Sequence, residues 1–354
     1  MTPNTSHYLD HLFNTCEEGA AQIPNIPQNS TFNFSEDTIL ITGAAGTIGS
    51  ALTKRLATSN AKKIIAVDIA ESPLYNLSKA LEHTTNKHIT YVLLDILDTE
   101  ALENLFKTHN PTLVFHTAAY KHVPLMESAP YNAVRVNILG TKHVADVAHT
   151  YKVQTFVFIS TDKAVNPSGI MGMSKKIAEN YIQALSHKSS TRFTTARFGN
   201  IFGSNGSVVC QFKQQIALGV PLTLTDENIT RYFIAIQDAC SGILQIASFN
   251  NKAYTLYSFN MGAPIKIIDI ATKLLQLHNK TIHGNITITG LRAGEKFSET
   301  LVADNETLIP TKNKAIYKVE TDTATNKNID MAVFKSVKPH TNPQSIKALL
   351  QASL

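Results

Sequence analysis

The chain has 354 residues, 43% hydrophobic and 17% charged, with 32 Lys+Arg against 27 Asp+Glu for a formal net charge of +5. At about 150 residues per domain this is material for roughly two packed units, and a core of that size needs no disulfide staples. Three widely spaced cysteines, Cys16, Cys210 and Cys240, exclude a disulfide framework and a Cys-rich zinc site and fit a reducing, cytoplasmic setting, while no apolar run approaches the ~18 residues of a membrane span and no secretory signal pattern opens the chain.

Residues 1–37 read as an N-terminal extension. They hold five acids (Asp10, Glu17, Glu18, Glu36, Asp37) and no Lys or Arg, so that +5 less −5 leaves +10 on residues 38–354. There Lys and Arg are scattered rather than striped, which argues against a nucleic-acid partner and suits a small phosphate-bearing ligand. Leu9, Leu12, Phe13 and Cys16 at helical spacing predict a helix over residues 7–21, and Pro24 and Pro27 predict loop.

A regular alternation then begins. Apolar, β-rich strands are predicted at 38–42, 63–68, 89–94, 113–116, 155–160 and 193–198. Helical patterns fall between them at 47–58, 73–83, 98–109, 131–151 and 170–187. Continuous apolar strands separated by helices mean a parallel sheet covered on both faces, so the fold class is α/β, a doubly wound parallel sheet of Rossmann type. The spacing breaks down after Asn200. The dinucleotide-binding domain is therefore assigned to residues 38–200 plus about 233–260, with a helix at 235–247. A smaller substrate-binding lobe takes 201–232 plus 261–310, and a polar C-terminal segment takes 311–354, ending in a helix at 343–351.

The motif Gly43-Ala44-Ala45-Gly46-Thr47-Ile48-Gly49 joins the first strand to the first helix. Its glycines permit a tight turn and close approach to a pyrophosphate, which meets the N–H groups of Thr47 and Ile48 at the helix start. Asp68 ends the second strand, where a carboxylate accepts from the adenosine ribose of NAD. Asp95 and Ile96, after the third strand, are placed at the adenine; capping the next helix is the other reading of Asp95.

The GxxGxxG spacing resembles that of the extended short-chain dehydrogenase/reductases. His116 to Glu127 (HTAAYKHVPLME), Asn137 to Thr141, Ser160 to Pro167 (STDKAVNP), Met171-Gly172, Ser174-Lys175, Arg197 to Asn200, Gly206-Ser207-Val208, Thr230 to Phe233 and Leu291 to Lys296 (LRAGEK) resemble, in that order, the nucleotide-sugar 4,6-dehydratases of polysaccharide biosynthesis. The branch acting on UDP-N-acetylglucosamine is the most similar, and this chain looks like a short form without the transmembrane region of many members.

The resemblance implies NAD as cofactor, a UDP-sugar as substrate and a homo-oligomer, for which helices 98–109 and 131–151 are the candidate surfaces. In the family a Tyr four residues before Lys175 takes a hydroxyl proton; here that position is Met171, and a thioether cannot take a proton. Either the redox site has decayed to a nucleotide-sugar sensor, or the branch works with Met, as the retained Thr161, Asp162 and Lys163 favour. On the second reading Lys163 is the base at C5, Asp162 the acid at O6, and Thr161 bonds the C4 oxygen. Lys175 holds the nicotinamide ribose. The acceptor of the C4 hydroxyl proton stays open among Lys175 through a water, Asp162 and Thr161. A neutral Lys163 needs burial and positive neighbours, for which Lys175 and oxidised nicotinamide are the candidates. Ala118, Ala119 and Lys121 follow the fourth strand beside the cofactor, with Lys121 also reaching the sugar. Asn200, Ser207, Val208, Arg231, Arg292 and Glu295 are the substrate contacts, Asn200 at the diphosphate, Arg292 at phosphate and Glu295 at the uridine ribose. Retention at C5 is the expected outcome, inversion the runner-up, and 4-epimerisation leaves Asp162 and Lys163 without a task. The thirteen His form no ligand trio, so no metal site is expected.

Overall fold

The computed structural model describes residues 3–18, 32–83, 88–251, 253–322 and 329–354. The loop expected at Pro24 and Pro27 lies outside the described residues. The six predicted strands form as β1 (Thr38–Thr42), β2 (Lys63–Asp68), β3 (Ile89–Leu93), β4 (Leu113–His116), β5 (Thr155–Thr161) and β6 (Arg192–Phe198). They lie in the order 3-2-1-4-5-6, all parallel, and strand Thr255–Phe259 continues the sheet parallel to β6. The antiparallel strands Ile316–Thr321 and Glu306–Pro310 complete that edge. These two straddle residue 310, where the sequence suggested a polar segment would begin. Few of their positions are buried, Glu306 on one and Ile316 and Val319 on the other, and both end on exposed residues, which lowers their mean apolarity.

Both faces of the sheet are covered, as its apolar strands require. In β1 the side chains alternate, Ile39 and Ile41 entering the core beneath helices Thr47–Ala57 and Ile236–Ser248, and Leu40 entering the core beneath Thr99–His109, Thr141–Thr150 and Ile170–Ser186. Each fully buried Ile or Leu contributes about 1.5–3 kcal/mol. The winding direction reverses between β1 and β4, and open α/β sheets bind ligands at the carboxyl ends of the strands at such a switch point.

The helix predicted over 131–151 is a composite of Pro130–Asn132, a π-helical stretch Ala133–Gly140, and Thr141–Thr150. The widened turn has a use. Asn137 in it accepts from the Tyr120 N–H at 2.8 Å and donates to the Tyr120 carbonyl at 3.0 Å and to Ser174 Oγ at 3.0 Å, which fixes the segment after β4 against helix 170–186.

The second lobe is built on short pairings, Leu222–Leu224 with Ile286–Ile288 and Thr230–Arg231 with Ile265–Lys266. Its core includes the N-terminal helix Pro3–Glu18, whose Leu9, Leu12 and Phe13 are buried with Phe202, Phe212 and Phe233. Tyr8 donates to the Phe233 carbonyl at 2.8 Å, and Asp10 pairs with Lys273 at 2.7 Å. The described part of the extension is thus a structural piece of this lobe. At the other end of the chain, Met331–Ser336 and Pro343–Ala352 bury Met331, Phe334, Ile346 and Leu350 against Ile138, Ile170, Met173 and Ile177. Among the described residues no helix is long and apolar enough to cross a membrane, and no cluster of three or more metal-ligating side chains forms.

Candidate active site

The glycine loop rests directly on the segment after β4. Gly43 has φ +68°, and a Cβ there would stand 2.6 Å from Ala118 N; one at Gly49 would stand 2.1 Å from the Gly43 carbonyl oxygen. Gly46 caps helix 47–57 with no side-chain bond, leaving Thr47 and Ile48 on the wall of a cleft of about 650 Å³. Asp68 Oδ2 accepts from the Ala45 N–H at 2.8 Å and Oδ1 from the Ala70 N–H at 2.9 Å. A carboxylate has about four lone-pair sites, so acceptor capacity remains for a ribose hydroxyl. The cradle at Gly43 and Gly49, the open helix start and this spare acceptor fit a dinucleotide. Asp95 Oδ1 accepts from the Leu97 N–H at 2.9 Å and so shapes a turn. The capping role considered for it belongs to Asp98, which accepts from the Ala101 N–H at 3.0 Å. Ile96 is buried against Gly140.

β5 carries the reactive cluster to the cleft. Its last residue, Thr161, leads into a tight turn Asp162–Ala164. Thr161 Oγ1 donates to Asp162 Oδ1 at 2.9 Å, and Lys163 Nζ donates to the same oxygen at 3.0 Å and to Asn200 Oδ1 at 3.0 Å. Asp162 is fully buried and its Oδ2 has no hydrogen-bond partner. The described hydrogen-bond and ion-pair partners of Lys163 are oxygen acceptors. A second carboxylate, Glu299, stands 3.8 Å from Lys163 Nζ, because the 291–299 loop folds over the turn after β5. Lys175 is engaged elsewhere, donating to the Ile159 carbonyl at 2.7 Å and lying 3.9 Å over the Phe158 ring.

Met171 and Lys175 share one side of helix 170–186, and both line the cleft. Burial lowers the Lys175 ammonium to about 7, outweighing the opposing field of Glu179. Beneath Lys175, Glu179 accepts from Ser160 at 2.5 Å and from Arg197 at 3.1 and 2.6 Å, and Arg197 also donates to Glu306 at 2.8 Å. Burial opposes ionisation of Glu179, yet Arg197 and Lys176 hold its carboxyl below the usual range. His116 sits between Thr42 Oγ1 at 2.7 Å and Thr141 Oγ1 at 2.9 Å, and burial lowers it to about 3, so it is a neutral packing residue.

The outer part of the cleft is lined by Ala119, Lys121, Asn200, Ser207, Val208, Arg231, Arg292 and Glu295. Lys121 Nζ donates to Ser204 Oγ at 3.4 Å, and burial lowers its pKa. Ser207 Oγ is buried without a partner where helix Val208–Ala217 begins, a position suited to phosphate. Arg292 and Glu295 do not pair through their side chains. Glu295 Oε2 accepts from the Arg292 N–H at 3.2 Å, and Oε1 pairs with Arg231 at 3.3 Å. Arg231, buried, also donates to the carbonyls of Thr230 and Phe297 at 2.8 and 3.1 Å.

Glu127 and Glu299 are the residues the sequence reading passed over. Glu127 Oε1 accepts from the Ile170 N–H at 2.7 Å, starting helix 170–186, and Oε2 pairs with Lys347 at 3.3 Å. Glu127 closes the quoted HTAAYKHVPLME run, so a signal was there; Glu299 lies three residues beyond LRAGEK and carries no local signal.

The profile of the family described as "Polysaccharide biosynthesis protein" matches residues 39–321. The capsular polysaccharide biosynthesis protein CapD of Staphylococcus aureus is 40% identical over 304 residues, 85% of this chain and 51% of CapD, so the chain spans about half the length of that relative. Among solved structures, Pen from Bacillus thuringiensis superposes with a TM-score of 0.75 at 28% identity, over 82% of this chain and 91% of its own. The dTDP-glucose 4,6-dehydratase DesIV of Streptomyces venezuelae, solved with NAD bound, shares the fold at a TM-score of 0.66 and 19% identity, over 75% of this chain and 88% of its own.

Proposed function

The chain belongs to the polysaccharide biosynthesis protein family, of extended short-chain dehydrogenase/reductase fold, and from that premise we propose that it is a UDP-N-acetylglucosamine 4,6-dehydratase. The product is the 4-keto-6-deoxy sugar nucleotide with the C5 configuration retained, made in the cytoplasm by a homo-oligomer for surface glycan synthesis. The observation that carries this reading is the Thr161–Asp162–Lys163 cluster at the end of β5, bonded through Lys163 to Asn200, with Thr161 and Lys163 lining the same cleft as Met171 and Lys175 and Asp162 buried behind them.

NAD, when bound there, would supply the hydride-accepting and hydride-donating chemistry that C4 and C6 need. The loop Gly43–Gly49 with Asp68 would hold it at one end and Ala118, Ala119, Lys121 and Lys175 at the other. Lys163 removes the C5 proton, made acidic by the C4 ketone. Asp162, enclosed and with one free oxygen, protonates the C6 oxygen as water leaves. Thr161 orients the C4 oxygen. Arg231, Arg292 and Ser207 bind the diphosphate, and Glu295 takes a uridine ribose hydroxyl from its fixed place beside Arg231. Epimerisation at C4 needs no acid at O6 and leaves this cluster unused.

The test is incubation with UDP-N-acetylglucosamine in D2O, read by NMR. A C6 methyl signal with deuterium at C5 is expected, and the coupling at C5 reports its configuration. Recovery of the unchanged sugar or of its 4-epimer refutes the assignment. Lys163→Ala should abolish product while leaving NAD affinity within about twofold.

A further inference from the structure

The next step rests on the dehydratase reading. Two protons leave the sugar, one from the C4 hydroxyl and one from C5; one departs on the C6 oxygen as water and one returns to C5. Asp162 can take the first and pass it to the C6 oxygen. Lys163 must take the second as a neutral amine, although its hydrogen-bond and ion-pair partners, Asp162, Asn200 and Glu299, all bind an ammonium. The resting proton on Lys163 needs somewhere to go, and Met171 offers no acid–base group.

Glu299 is the group within reach. Its side chain is 4% exposed, with Oε1 3.8 Å from Lys163 Nζ and Oε2 3.8 Å from Lys296 Nζ. Oε2 is buried and has no hydrogen-bond partner, the state of an oxygen with room for a proton. The carboxyl walls a chamber of about 120 Å³ together with Lys163, Gly172, Arg231 and Lys296. Charged groups face it from each packed element, namely Asp162 and Lys163 on the turn after β5, Arg231 on strand 230–231 and Lys296 on its own loop. Burial raises its pKa above the ordinary carboxylate value, with Asp162 adding to the rise and the three cations opposing it.

We propose that Glu299 receives the resting proton of Lys163, so that Lys163 becomes the neutral base that takes the C5 proton. One N–H bond breaks and one O–H bond forms, turning a charged pair into a neutral pair. Lys163 then takes the C5 proton, its ammonium exchanges with solvent, and it delivers a proton to C5 after the hydride has reached C6, whereupon Glu299 gives its proton back. Glu299 acts through Lys163 and is a positioning residue for its charge.

The variants E299Q and E299D test this. E299Q holds no extra proton, so kcat on UDP-N-acetylglucosamine should fall about 100-fold with KM within about twofold. The acidic limb of the wild-type kcat profile, where Glu299 is already protonated, should disappear. Deuterium wash-in at C5 should slow in parallel. E299D should recover about tenfold. The infrared C=O band of a protonated carboxyl should persist in the unliganded wild type above the usual carboxylate range and be absent from E299Q. A wild-type kcat in E299Q, an acidic limb that survives, or a rise in KM matching the loss in kcat/KM overturns the proposal. If E299Q does not fold, E299D decides, and an unchanged kcat overturns it. A wild type that never forms the 6-deoxy product refutes the dehydratase reading itself, a result distinct from an active wild type with an indifferent variant.

Discussion

Consider a single methyl group added at Gly172. Its Cβ would stand 2.3 Å from the Lys163 carbonyl oxygen, and 3.2 Å from both the Lys163 carbonyl carbon and Pro167 Cβ, whereas ordinary contact begins at 3.4 Å. Helix 170–186 and the turn 162–164 must therefore separate by about 1 Å, and neither side has slack. The helix start is tied to Glu127, and Met173 and Ile177 are locked in the core behind it. The turn is closed by the Val165 N–H on the Asp162 carbonyl at 2.9 Å, and Lys163 is held by Asp162 and Asn200. A misplacement of about 1 Å in a reacting group costs about 100-fold in rate, and overpacking costs about 1–3 kcal/mol in stability, or about 1–4 °C in Tm for a chain of this size. The assay is kcat for Gly172→Ala, with Tm and NAD affinity measured alongside. NAD affinity should fall by less than kcat does, because the Gly43–Gly49 loop and Asp68 stand on β1 and β2, whereas Lys175 shares the helix that moves. A kcat within about threefold of wild type with an unchanged Tm would refute the claim that Gly172 seats Lys163.

Other expectations follow from buried charge and packing. Lys175 has a folded pKa near 7 against an unfolded value of 10.5; between these the unfolded chain binds more protons, so the stability advantage of Lys175→Met over wild type should shrink as pH rises from 7 to 10.5, read by denaturant titration. A constant gap would contradict the burial argument. His116, lowered to about 3 from 6.5, contributes stability above pH 6.5 that is lost as pH falls toward 3, at up to ~1.4 kcal/mol per unit. That part of the acid slope should be missing in His116→Gln. Arg197→Leu strands Glu179 and Glu306 in the interior and should cost about 3–5 kcal/mol in equilibrium unfolding; a loss under about 1 kcal/mol would show that the two carboxylates do not depend on it. Leu12→Ala should cost about 2–5 kcal/mol although in sequence it lies well before the first motif, because Leu12 is fully enclosed in the second lobe.

The sheet was legible because parallel strands buried on both faces must be apolar throughout, as TILIT and TFVFIST are, and because glycines at 43, 46 and 49 have a backbone reason to be there. Thr161, Asp162 and Lys163 could be found for the same local reason, adjacency at a strand end. What escaped was long-range. Nothing near Glu299 says that it will face Lys163, since the two are brought together by a loop from the other lobe. The pairing of Glu295 with Arg231 rather than with the Arg292 side chain is likewise set by how strand 230–231 enters the cleft. The π-helical stretch at Ala133–Gly140 preserves the apolar periodicity of an ordinary helix, so only the demand of Asn137 for Tyr120 and Ser174 reveals it. The strands at 306–310 and 316–321 bury few positions and end on exposed residues, which hides them among polar residues.

The helices at the two chain ends bear on how the protein is to be handled. The family match runs from residue 39 to residue 321, and a protein cut to those limits would look complete by its motifs. It would lack Leu9, Leu12 and Phe13 on one lobe and Met331, Phe334, Ile346 and Leu350 behind the helix that carries Met171 and Lys175. Two apolar faces would open to water at once, and such faces drive self-association. Recombinant versions trimmed to the region of similarity should therefore precipitate, and any loss of turnover in them would report a missing wall rather than a missing catalytic group.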